Sequence, residues 1–229
     1  MKTATCWVLT LLIAAPVAVA AGADRTAGPA PDGLVQASTG TGAAPTLITV
    51  GFGPQQVWHP APAAIDDLHG CPAPVLLECV RKVMERHGAS MDAFEFYHLT
   101  GWFLGAITNA GSPVKLATVF NPWLVNENEQ PALVGGHPAV VYPADVQTAL
   151  ESDPAFKALR NDFPQLLFWK PGPILETSTT TDTGQIFVFR YRLLDGCHAC
   201  AIRGWARIQF AFAPDGTYRN DRLLSIERQ

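Results

Sequence analysis

Apolar positions along the chain follow two periods, and the change from one to the other divides it. Leu76, Cys79, Val80, Val83 and Met84 recur at three- and four-residue spacings, which places them on one face of a helix. Glu78, Arg81, Lys82, Glu85 and Arg86 fall opposite, with Glu78 and Lys82 spaced to pair. Pro74 suits the first turn and His87-Gly88 the stop, so Cys79 is expected to face inward. A second helix is predicted from the cap Ser90, with Asp92 near the positive end of its dipole. The stripe Ala93, Phe96, Tyr97, Thr100, Phe103, Leu104 and Ile107 continues it through Gly101 and Gly105. Residues 144–151 read as helical, break at Ser152-Asp153, and restart at Pro154 as far as Asn161.

After Pro164 the period shortens to that of strands. Residues 166–169, 174–180, 185–194, 202–213 and 222–226 are separated by Pro-Gly, Asp-Thr-Gly, Asp-Gly and Pro-Asp-Gly turn signals. Short links between successive strands imply an antiparallel meander. Earlier strands are predicted over 47–50 and 114–120. A hairpin of 132–134 with 139–142 surrounds Gly135-Gly136-His137-Pro138, and Asn126-Glu127-Asn128-Glu129-Gln130 reads as a polar loop. The expected fold class is α+β, with N-terminal helices packed on a C-terminal antiparallel β-meander.

Composition adds the organisation. Residues 1–23 carry Lys2, the apolar run Trp7 to Ala15 and the small residues Ala18-Val19-Ala20, the pattern of a secretory signal peptide. Cys6 stands ahead of the apolar run, which argues against a lipid anchor there. Residues 24–46 are dominated by Ala, Gly, Pro, Ser and Thr without a hydrophobic period and read as a flexible tether. A single α+β globular domain is expected over 47–229, with no membrane span after signal cleavage. Of the whole chain, 48% is hydrophobic and 16% charged, which excludes a disordered protein. The net charge of −4 argues against a nucleic-acid partner. The Ala/Pro-rich leader points to a periplasmic or secreted protein.

Cys71, Cys79, Cys197 and Cys200 remain after the leader, and an even count in an exported chain favours disulfides. The densest chemistry is Asp195-Gly196-Cys197-His198-Ala199-Cys200, open to three readings. A thiol–disulfide redox motif would need a helix N-terminus to activate the first thiol, whereas the following residues alternate like a strand. A closed zinc site usually needs four ligands, and one Cys-x-x-Cys supplies too few; no metal and no cofactor are expected. The remaining reading is a disulfide across the hairpin tip, with His198 displayed between the cysteines beside Asp195 and Gly196. Cys71 would then pair with Cys79, although both cross-pairings stay open. A cross-linked loop loses little entropy on binding and presents a recognition residue well.

Other chemistry is sparse: Gly-x-Ser-x-Gly, His-Glu-x-x-His and phosphate-loop motifs are absent. Asp66-Asp67-x-His69 has the residue types of an acid/base cluster but reads more simply as a solvated loop ahead of a helix. His98 reads as a partly buried helix residue. Trp102, Trp123, Trp169 and Trp205 read most simply as core or sheet-face aromatics, with an aromatic carbohydrate-binding face as the alternative that spacing alone does not show.

The stretch Tyr191 to Cys200, with Arg207-Ile208-Gln209-Phe210 on the returning strand, resembles the Ivy-type inhibitors of vertebrate lysozyme. That family's loop has more residues between its cysteines, among them Lys, Pro and Asp. The resemblance implies that His198 is presented to the active site of a lysozyme. The expected function is thus an exported non-enzymatic binding protein with a protein partner in the cell envelope, such as a cell-wall hydrolase. The alternatives are a periplasmic thiol–disulfide redox protein using Cys197 and Cys200, and a structural envelope protein.

Overall fold

A computed structural model describes residues 52–72, 75–108, 112–124 and 128–229. The expected signal peptide, tether and strand over 47–50 lie outside the described residues, as do Pro74 and residues 126 and 127 of the polar loop. All described residues belong to one unit, Leu47–Gln229.

Three helices come first. α1, Pro62–His69, has Pro62 in its first turn and buries Ala64 and Leu68. The solvated loop expected around Asp66 and Asp67 is therefore helical. α2, Leu76–Arg86, buries Val80, Val83 and Met84, while its outer face carries Arg81–Glu78, Arg81–Glu85 and Lys82–Glu78 pairs at 3.0, 3.2 and 3.4 Å. α3, Met91–Thr100, is capped by Ser90, whose Oγ accepts from the Ala93 amide at 3.0 Å. It ends at Gly101 with φ +71°, a left-handed conformation that only glycine adopts freely. The helical stripe predicted through Ile107 is thus cut at Gly101, and the chain continues as a strand.

That strand is β1, Phe103–Thr108, followed by β2, Lys115–Phe120, β3, Glu129–Val134, and β4, Val140–Val141, in the antiparallel order β1-β2-β3-β4. Glu129 and Gln130, expected in a polar loop, instead open β3 opposite Phe120 and Val119. The helix expected over 144–151 reduces to a 3-10 turn at Pro143–Asp145. Beyond it the Gln147 and Thr148 amides donate to the Asp221 carboxylate at 3.0 and 2.7 Å, not to carbonyls one turn back. α4, Pro154–Asp162, follows its Asp153 cap, whose carboxylate accepts from Ala155 and Phe156.

The second sheet is the meander β5, Leu166–Thr181, β6, Gly184–Asp195, β7, Ile202–Phe212, and β8, Tyr218–Arg228. The two strands predicted on either side of Pro171-Gly172-Pro173 are one strand, with the break absorbed as a register shift between Trp169 and Ile174. The chain is α+β, with its helices mostly N-terminal and both sheets antiparallel. Three packed clusters hold it. Phe187, Phe189, Tyr191, Leu193, Ile208, Phe210 and Phe212 line the inner face of the second sheet against α4, Val114, Leu133, Val146 and Leu150. A second cluster joins α1, α2 and α3 to Phe103, and a third packs Phe52 and Phe96 on Leu104, Val119 and Val134.

Candidate functional site: the disulfide-closed hairpin tip

Pairing of β6 with β7 ends at Leu194 opposite Ile202, leaving residues 195–201 as the tip. The Asp195 amide donates to Ala201 O at 3.0 Å and the Cys200 amide to Cys197 O at 3.1 Å, so the chain turns between the cysteines. Cys197 and Cys200 are joined as a disulfide, their Cα atoms 5.0 Å apart. Gly196 supplies a φ of +82°, and a Cβ there would meet the Gln165 side chain at 2.7 Å. The second disulfide, Cys71 to Cys79, ties the end of α1 to α2, and Cys79 is half-buried there, not fully interior.

The residues proposed for recognition divide. Gly196 and His198 are exposed. Asp195 is half-buried and accepts two hydrogen bonds from Arg203, Nε at 3.1 Å and Nη2 at 2.8 Å. Arg203 in turn lies 4.5 Å over the Phe163 ring, so Asp195 braces the base of the tip. The His198 ring centre sits 4.8 Å from that of Trp169 on β5.

Trp169 opens a row that sequence reasoning did not assemble. Across the outer face of the second sheet, Trp169 pairs with Arg192, Arg192 with Trp205, and Trp205 with Glu227. Two residues along, Arg190 lies opposite Arg207, and its guanidinium stands 4.2 Å over Trp205, close enough for a cation–π contact. Arg207 donates to Glu176 at 2.6 Å and lies 3.7 Å from Glu227. Side chains two apart on a strand share a face, so Arg190-Tyr191-Arg192 and Trp205-Ala206-Arg207 carried the signal: polar and aromatic out, apolar in.

Cys197 and Cys200 lead into β7, not into a helix, so no helix dipole is available to lower a thiol pKa at either. Asp67 and His69 do not act together. Asp67 accepts from His87 at 2.8 Å and Arg86 at 3.0 Å; the hydrogen bond from His87 first, and then Arg86, hold its carboxyl below the usual range. His69 Nε2 instead lies 2.9 Å from Pro122 O. His98, expected to be partly buried, is exposed, 3.9 Å from Glu95. Among the described residues, no group of three or more His, Cys, Asp and Glu is placed to hold a metal ion, and no helix is long and apolar enough to cross a membrane. Compared with known protein families, curated proteins and solved structures, the chain matches none of them.

Proposed function

We propose that this chain is an exported, non-enzymatic binding protein whose β6–β7 tip enters the active-site cleft of a cell-wall hydrolase. The observation that carries the reading is His198, exposed between two cross-linked cysteines and backed by Trp169. Glycoside hydrolases work with a pair of carboxyl groups in a cleft. A narrow tip carrying an imidazole offers such a cleft a hydrogen-bond donor at its leading point. Arg190, Arg192 and Arg207 stand on the adjoining sheet face against Glu176 and Glu227, which favours an acidic partner rim. The two disulfides accord with an oxidising compartment, periplasmic or extracellular.

His198→Ala tests the assignment. His198 is exposed and belongs to none of the packed clusters, and truncating such a side chain shifts stability by about 0.5 kcal/mol or less, so the melting temperature should hold. Hot-spot truncation costs about 2 kcal/mol or more, roughly a thirtyfold loss of inhibition across a panel of lysozymes. If the wild type inhibits none of the panel, the hydrolase-inhibitor reading fails; equal inhibition by wild type and variant removes His198 from the contact. The same preparations in an insulin-reduction assay should show no turnover. Turnover abolished by Cys197→Ser would instead establish thiol–disulfide exchange.

A further inference from the structure

A cleft on the first sheet lies apart from the hairpin tip. Between that sheet and α1 is a cavity of about 580 Å³, within the range that holds small-molecule ligands. Its floor is Gly105, Ala106 and Thr118, and its walls include Trp58, His69 and Glu129. A second cavity of about 280 Å³ shares Thr118 and Glu129 and runs past Pro131 to Gly172 and Pro173. The two form one trough that crosses β1, β2 and β3 and ends against β5.

Its construction narrows what it holds. Gly105 sits where the β1–β2 register shifts between Leu104 and Ala106, and a Cβ there would come within 3.3 Å of the Phe120 ring. Glycine at a bulge keeps the floor low and lets a ligand approach the backbone closely. Among the described residues neither cavity is lined by lysine or arginine, and both are lined by Glu129. Phosphates and carboxylates would meet a negative charge with no countercharge, so an anion is disfavoured. Hydroxyl groups, by contrast, find the Glu129 carboxylate, the Thr118 hydroxyl and the imidazoles of His59 and His69. His69 Nε2 faces the Pro122 carbonyl, which can only accept, so that nitrogen carries the proton and the ring is oriented. The direction of the trough matters as well. An extended peptide gains affinity by running along a sheet edge and continuing its ladder, which a groove crossing the strands does not offer.

We propose that this trough binds a neutral oligosaccharide, its hydroxyls held by Glu129 and Thr118. The site stands independently of the tip. Isothermal titration calorimetry of the full chain with chitotriose, cellotriose and trigalacturonate tests it. Saturable binding of at least one neutral trisaccharide is expected, with trigalacturonate about tenfold weaker or more. Thr118→Phe places a ring where the two cavities meet, and Glu129→Ala removes the acceptor they share. Both positions are exposed, so each variant should keep its melting temperature and lose about tenfold or more in affinity. His198→Ala should bind the sugar like wild type. The proposal is overturned if neither neutral sugar binds, if trigalacturonate binds as tightly, or if both trough variants retain wild-type affinity. Loss of binding in His198→Ala also overturns it, by moving the sugar site to the tip.

Discussion

Asp195 and His198, three residues apart, serve different ends. Asp195 turns back to Arg203 and fixes the base of the tip, whereas His198 lies outward against Trp169. Asp221 shows what one carboxylate does when it is used inward. It accepts from the Gln147 and Thr148 amides and from the Thr148 and Tyr218 hydroxyls. Burial alone would raise its pKa, but the hydrogen bonds from Thr148 and Tyr218 outweigh burial and hold it below the ordinary value. A depressed native pKa contributes stability above the unfolded carboxylate value of about 3.9, and that contribution is lost as pH falls through the native pKa. Asp221→Ala removes the acceptor from two amides and should cost about 1–3 kcal/mol at neutral pH. Urea midpoints measured down to strongly acid pH should then draw closer for wild type and variant below about pH 4 without meeting, because the protonated carboxyl still accepts from an amide. A gap that stays constant across that range would show that the charge of Asp221 is not what stabilises the segment.

At the level of elements, the two disulfides do different things because of where their loops sit. In the chain-entropy account, the sequence separation of 3 at Cys197–Cys200 and 8 at Cys71–Cys79 corresponds to about 2 and about 2.5 kcal/mol. Cys71→Ser with Cys79→Ser should lower stability slightly more, since it also loosens α1 from α2, and leave lysozyme inhibition unchanged. Cys197→Ser with Cys200→Ser should do the reverse, weakening inhibition well beyond its effect on unfolding. If the two double variants lose inhibition equally, the tip is not the contact. The tip was legible in the sequence because both flanks alternate like strands and the cysteines fall within one turn. α2 was legible because its charged and apolar positions separate cleanly. The end of α3 was not: Phe103, Leu104 and Ile107 fit a helical stripe, and a strand buries both Phe103 and Leu104 because its two faces meet different clusters, Phe103 that of the helices and Leu104 that of Phe52 and Phe96. Residues 144–151 carried a helical pattern that Asp221, remote in sequence, overrides by taking the amides. The contact of the His198 ring with Trp169 and the trough over β1–β3 each depend on packing between distant segments, which no local pattern encodes.

Among the described residues of the whole molecule are two four-stranded sheets, and buried polar contacts as well as apolar packing cross between them. Gln185 of β6 is 3% exposed. Its carboxamide accepts from the Val114 amide at 2.8 Å and donates to the Val114 carbonyl at 3.0 Å, across a separation of 71 residues. The Tyr191 hydroxyl donates to Pro143 O at 2.8 Å. His137, beyond β3, exchanges backbone hydrogen bonds with Gly216 and Tyr218. Around these lies the cluster that sets Val114 and Leu133 among Phe187, Phe189 and Phe212. Gln185→Leu keeps the bulk but leaves a buried donor and a buried acceptor on Val114 unsatisfied, each worth about 1–3 kcal/mol, so the variant should lose about 2–6 kcal/mol. Unfolding by urea should nevertheless stay a single transition, with tryptophan fluorescence and far-ultraviolet dichroism superimposing in wild type and variant alike. Trp58 and Trp123 report on the helical side of the first sheet and Trp205 on the second. Two separated fluorescence phases in the wild type would mean that the sheets unfold independently. A variant as stable as wild type would mean that the Gln185–Val114 contact contributes nothing to holding them together.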